Sequence, residues 1–244
     1  MKHSISLALK TGGLLGRLSF IPLISVNMLA HNGSLTPQAA AFARYIAAVQ
    51  NRDASVESGP VAVEIYASLP GLYKSAGILA LRHQGEADRG RYELVGVEGD
   101  VIVAQEVIVP YLIARERLEA IPTSTLAITP ANYRFRYRGE VGTGENLAYM
   151  YQITPKKHQE GLIEGQIWIS AASGAIVFQQ GRFVKTPRVL AGKIEIACDT
   201  TLLNGQPAIR VTHAMIETPR FGRGELTITE ASAVPALRQQ SIDQ

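Results

Sequence analysis

The chain reads as an α+β protein: a strongly curved antiparallel β-sheet, in effect a half-barrel, with two covering helices. Three observations predict this. Between Tyr133 and Glu230, apolar and polar residues alternate in short segments separated by Gly, Asn, Lys and Pro clusters, as strands with one buried face require. Two earlier segments, 36–51 and 100–120, instead repeat their apolar residues at the helical period. A sheet of about nine or ten strands cannot lie flat, because each neighbour is rotated by roughly 20–25°, so it curls and the helices are what is available to cover its concave face.

Composition sets the frame for the elements. The 244 residues are 46% apolar and 18% charged, a globular balance that allows a sizeable core without a disulfide or a metal. Cys198 is the only cysteine, which excludes an internal disulfide. Residues 1–30 read as a signal peptide or N-terminal leader, 31–230 as a single α+β domain, and 231–244 as a flexible C-terminal tail. In the leader, Lys2, Lys10 and Arg17 precede the apolar stretch 18–30. That stretch makes about 20 Å of helix, short of the ~30 Å hydrocarbon core, so export is predicted rather than a membrane span, with Ala30 before the cut and an oversized Met28 two residues earlier. The expected location is periplasmic or secreted. Without the three leader cations, bases equal acids in number, so the basic balance of the whole chain belongs to the leader and nucleic acid is not an expected partner.

Thr36 caps the first helix, with Pro37 in its first position, where the missing N–H costs nothing. Phe42, Tyr45, Ile46 and Val49 form its apolar stripe, and it ends near Asn51. Val61, Val63 and Ile65 alternate as a strand, broken by Leu69-Pro70-Gly71. Further strands follow over 76–83 and 91–97, joined by the polar connection 85–90. The second helix covers 100–120, where Pro110 demands either a kink or a helix start. The strands of the second half are then 133–138, 147–154, 162–170, 175–184, 192–199, 207–217 and 224–229, with Asn204-Gly205 as a hairpin signal.

Candidate sites follow from strand phase. Tyr133, Phe135, Tyr137, Tyr149 and Tyr151 share one face of neighbouring strands, and with Phe42 of the first helix they can line a cavity for an acyl chain or simply pack as core. Arg134, Arg136 and Arg138 take the opposite face and so cannot combine with those rings into a nucleic-acid platform. Trp168 shares phase with Glu164 and Gln166 and points outward, beneath cover or as a partner anchor. No histidine pair stands at a metal spacing, Cys198 reads as a small core residue, and the Gly-rich loop 139–144 joins two strands rather than opening a helix. No cofactor, metal or catalytic set is expected.

The order helix, strands, helix, long meander, together with the leader and the hairpin from Gly165-Gln166-Ile167-Trp168-Ile169 to Ser173-Gly174-Ala175-Ile176-Val177, resembles the LolA/LolB-like superfamily of periplasmic lipoprotein carriers. The second helix is longer than is usual there. The resemblance covers 36–230 and implies a half-open barrel with helices over an apolar mouth. The expected function is an exported, non-enzymatic binding protein that holds a lipid or lipoprotein acyl chain between sheet and helical lid, peripheral to the membrane at most. The alternative is a cell-envelope protein–protein interaction module with a filled core, its partner surface including Trp168 and Lys156-Lys157-His158. A hydrolase survives only if distant groups converge in space.

Overall fold

A computed structural model describes residues 35–52, 60–83, 91–188 and 190–232, within a compact unit that begins at Leu35. The leader, His31, the 85–90 connection and the tail beyond Ser232 lie outside the described residues.

Among the described residues ten strands form one open antiparallel sheet: β1 (Val61–Leu69), β2 (Lys74–Arg82), β3 (Tyr92–Gly99), β4 (Tyr133–Val141), β5 (Ala148–Pro155), β6 (Ile163–Ser170), β7 (Ile176–Phe183), β8 (Ala191–Leu203), β9 (Gln206–Thr218) and β10 (Gly222–Ser232). Their spatial order is β3-β2-β1-β10-β9-β8-β7-β6-β5-β4. The expected meander is therefore present over β4–β10, and the three early strands add to its last strand through β1, with Ile65 opposite Ile228. Strand β10 continues through Ala231 and Ser232, two residues read from sequence as tail. The Asn204-Gly205 turn joins β8 to β9 with positive φ at both residues (52° and 78°), the geometry a two-residue hairpin needs.

Helix α1 (Pro37–Arg52) starts at the predicted proline. The second helical run opens with α2 (Val101–Val103), widens into a π-turn over Ala104–Ile108, and continues as α3 (Val109–Glu119). Pro110 lies in the first turn of α3, as one of the two expectations had it, but the helical run itself starts earlier, at α2. The wide turn lies immediately before Pro110, which is where a proline disrupts the regular backbone bonding of a helix. Asp100 caps the N-terminus, its side chain accepting from the Ile102 N–H at 2.8 Å. A short helix, α4 (Thr123–Leu126), was not foreseen.

The helices divide the inner face of the sheet between them. The α2–α3 run covers a core of Val63, Ile65, Ile78, Ile216, Leu226 and Ile228, into which it sends Val103, Val107 and Ile108. Helix α1 covers Tyr133, Tyr149, Tyr151, Ile153, Ile167 and Ile169. Phe183 and Ile196 pack against both clusters.

Candidate functional site

The aromatic residues singled out from sequence do share the inner face, and α1 fills the space above them. The Phe42 ring lies 5.0 Å from Phe135, edge-on, and 5.2 Å from Tyr151. Tyr137 stands 5.6 Å from Tyr151 and 6.5 Å from Tyr149. Their hydroxyls serve structure: Tyr151 donates to the Gln38 carbonyl at 3.1 Å, and the Tyr133 oxygen accepts from the Ile163 N–H at 3.2 Å. Helix α1 is further held by Tyr45, which donates to the Ile128 carbonyl at 2.6 Å, and by Gly174 in the β6–β7 turn, where an added Cβ would sit 2.9 Å from the Tyr45 nitrogen. Tyr133, Tyr149 and Tyr151 are buried, Phe42 and Phe135 half-buried, and Tyr137 is 41% exposed at the rim.

A groove of about 650 Å³ lies on the opposite face, which no helix among the described residues covers, crossing β5–β10. Strand pairing explains its lining. Gln152, Gln166, Gln180, Ala197, His213 and Thr227 stand opposite one another in successive strands and form one transverse row. Within it Gln166 donates to Gln180 at 3.3 Å, and the His213 Nδ1 lies 3.1 Å from the Thr227 hydroxyl. A second row, Glu164, Arg182, Glu195, Met215 and Glu225, runs alongside. Arg182 pairs with Glu164 at 3.2 Å, and Arg223 with Glu225 at 3.0 Å. On the other side of the amide row, Met150, Trp168 and Phe178 form an apolar row, the last two rings 4.3 Å apart. Trp168 thus points outward as its phase predicted, and among the described residues its ring packs against Phe178 rather than beneath a helix. Its indole nitrogen is buried without a hydrogen-bond partner among the described residues. Each of these outward residues was visible in its own strand. Their alignment in rows was not, since it depends on strand order and register.

A third cluster fastens α3 to the inner face. Glu230 of β10 meets Arg82 at 3.3 Å and Arg115 at 3.4 Å, and Glu119 meets Arg115 at 3.2 Å and Arg82 at 3.8 Å. Burial works against the charged Arg115, yet Tyr111, Glu230, Tyr92 and Glu119 outweigh it and push its pKa above the usual arginine value. Burial pushes the Tyr92 and Tyr111 phenols up. Next to this cluster the buried Cys198 thiol accepts from the Arg210 Nε at 2.8 Å. Arg134 and Arg136 are exposed on the outer face, as is Arg138, whose guanidinium donates to Gln152. Lys156 and Lys157 are also exposed. Among the described residues, no group of three or more His, Cys, Asp or Glu side chains is placed to hold a metal ion. Among the same residues no helix is long and apolar enough to cross a membrane.

No protein-family model matches the chain, and no curated protein matches it in sequence. Among solved structures, the chain is similar over 79% of its length, and over 91% of the other chain, to one described as an outer membrane lipoprotein-sorting protein domain from Vibrio parahaemolyticus, at 9% identity and a TM-score of 0.33. It is also similar to MucB, at 11% identity over 82% of this chain and 96% of that one, with a TM-score of 0.26. MucB in its complex with MucA aligns at 11% identity over 81% and 96%, with a TM-score of 0.24. No family and no residue role is carried over from these likenesses.

Proposed function

We propose that this is a non-catalytic, exported binding module that engages another polypeptide of the cell envelope on the face of its sheet opposite the helices α1 and α2–α3. One observation carries the reading: the space between sheet and α1 is occupied by interlocked aromatic rings, whereas the open groove of about 650 Å³ lies on the other face. That groove combines amide and hydroxyl groups, charges of both signs and the flanking Met150–Trp168–Phe178 row. Such a mixture suits a peptide, whose backbone needs donors and acceptors while its side chains need both charge and apolar contact. A photo-crosslinking residue at Met215, in the groove, should yield a defined adduct in the exporting host that Glu195→Arg abolishes. The same residue at Val109, on the exposed side of α3, should not. Equal adducts from both positions would overturn the reading.

A second reading keeps the aromatic cluster as the working site: α1 swings away and Phe42, Tyr133, Phe135, Tyr137, Tyr149 and Tyr151 receive an acyl chain. Its support is the rim, where Tyr137 is exposed and Phe42 and Phe135 are half-buried. Native mass spectrometry followed by solvent extraction tests it. Added mass that extracts as lipid, and that is lost in folded Phe135→Asp protein, would establish it, whereas a bare polypeptide mass would dismiss it.

A further inference from the structure

An open sheet has two edges, and here they are chemically opposite. Edge strand β3 has Tyr92, Leu94 and Val97 on the inner face, with Leu94 and Val97 55% and 57% exposed, and Glu93 and Glu98 on the outer face. Edge strand β4 has Tyr133, Phe135 and Tyr137 on the inner face and Arg134, Arg136 and Arg138 on the outer. An unpaired strand with exposed apolar residues is a template for another strand, and proteins ordinarily blunt it. Among the described residues neither Arg134 nor Arg136 takes part in an ion pair, and Glu98 takes part in none, while Glu93 stands 3.3 Å from His83.

We propose that the chain self-associates head to tail, edge strand β3 of one copy pairing antiparallel with edge strand β4 of the next. This goes beyond the binding function above and does not depend on it. Charge selects the pairing. Joining β3 to a second β3 about a twofold axis sets glutamates against glutamates, and joining β4 to β4 sets arginines against arginines, whereas β3 against β4 matches acid to base. Geometry permits it. Ten strands alternate in direction, so β3 and β4 run oppositely, and a second copy in the same orientation continues the antiparallel order with inner faces on one side. In the register that sets Val97 opposite Phe135, Glu98 meets Arg134. The extra residue at the β3 irregularity, Val95, then brings Leu94 opposite Tyr137 and Glu93 opposite Arg138. Because each added copy presents a fresh edge, the assembly does not close.

Sedimentation velocity of the full chain over a range of concentrations tests this. The average mass should grow past a dimer at ~20 mM salt and fall back at ~500 mM, where the Debye length is only a few Å. A Glu93→Arg/Glu98→Arg variant alone and an Arg134→Glu/Arg138→Glu variant alone should each associate about tenfold more weakly, and an equimolar mixture of the two should recover association, since each then offers the edge the other lacks. A monomer at every concentration would overturn the proposal, as would a fixed dimer indifferent to both variants or a mixture that fails to recover.

Discussion

Gly165 and Gly181 face each other across β6 and β7 with no room for a side chain on either. A Cβ on Gly165 would fall 2.0 Å from the Gln180 carbonyl oxygen and 2.6 Å from the Gly181 Cα, and one on Gly181 would fall 2.5 Å from the Glu164 oxygen. Neither glycine is needed for an unusual φ, so the requirement is close backbone approach alone. The pair lies between the aromatic half of the inner face and the residues Phe183 and Ile196 that both cores share.

Gly165→Ala and Gly181→Ala are each therefore expected to destabilise by about 2–3 kcal/mol, the upper part of the range for overpacking, because the clashing atoms are backbone and cannot rotate away. Gly96→Ala, on edge strand β3 with open space around it, is expected to cost under about 0.5 kcal/mol. Urea unfolding of the three variants checks the contrast.

Lys74 and Asp100 predict a pH dependence with a definite sign. Hydrogen bonding to Lys74, 2.7 Å away, outweighs desolvation and, with the Ile102 N–H, holds the Asp100 carboxyl below its ordinary value. A depressed folded pKa contributes stability that is present above the unfolded value of about 3.9 and is lost as pH falls through the folded one. Asp100→Asn should thus lower the melting temperature near neutrality and reduce its fall below pH ~4. Melting curves from pH ~7 to ~2 would show an unchanged acid limb if Asp100 were not involved.

Much of this fold was legible because it rests on local rules. Pro37 marks the start of α1, Leu69-Pro70-Gly71 the end of β1, and Asn204-Gly205 a tight hairpin, each through backbone chemistry that needs no tertiary context. Trp168 could be assigned outward from its phase with Glu164. What escaped depends on contacts distant in the chain. The junction of β1 with β10, the division of the inner face between α1 and α2–α3, and the alignment of Gln152, Gln180 and His213 in one row follow from strand order, which alternation does not encode. The π-turn before Pro110 escaped for a different reason: periodicity supplied a helix and the proline an objection, and the compromise between them is set by packing of Val107 and Ile108 into the core.

The Glu230 carboxylate is the hub of the cluster beneath α3, within 3.4 Å of two guanidinium groups and 13% exposed. Glu230→Ala leaves Arg82 and Arg115 with only Glu119, and should cost about 3 kcal/mol, more than Glu119→Ala, because Glu230 lies within 3.4 Å of both cations whereas Glu119 reaches Arg82 only at 3.8 Å. Unfolding free energies of the two variants, compared in one buffer, check the order, and the reverse order would remove Glu230 from the central position.

Trp168 carries the sharpest test of the outer face, since its ring and its nitrogen pull in opposite directions. Tilted packing on Phe178, with ring centroids 4.3 Å apart, stabilises β6 against β7, while the buried indole N–H has lost water and found no acceptor among the described residues. An unmet buried donor costs about 1–3 kcal/mol, and an aromatic pair contributes about 0.5–1.5 kcal/mol beyond its burial. Trp168→Phe keeps a ring and deletes the donor, so stability should hold or rise by up to about 1 kcal/mol. Trp168→Ala deletes both and should lose about 1–2 kcal/mol. The pair of variants also separates packing from recognition. If the nitrogen is retained because a partner's carbonyl accepts from it, Trp168→Phe weakens partner capture while leaving the fold intact, and undiminished capture by that variant would leave Trp168 as cover for the sheet alone.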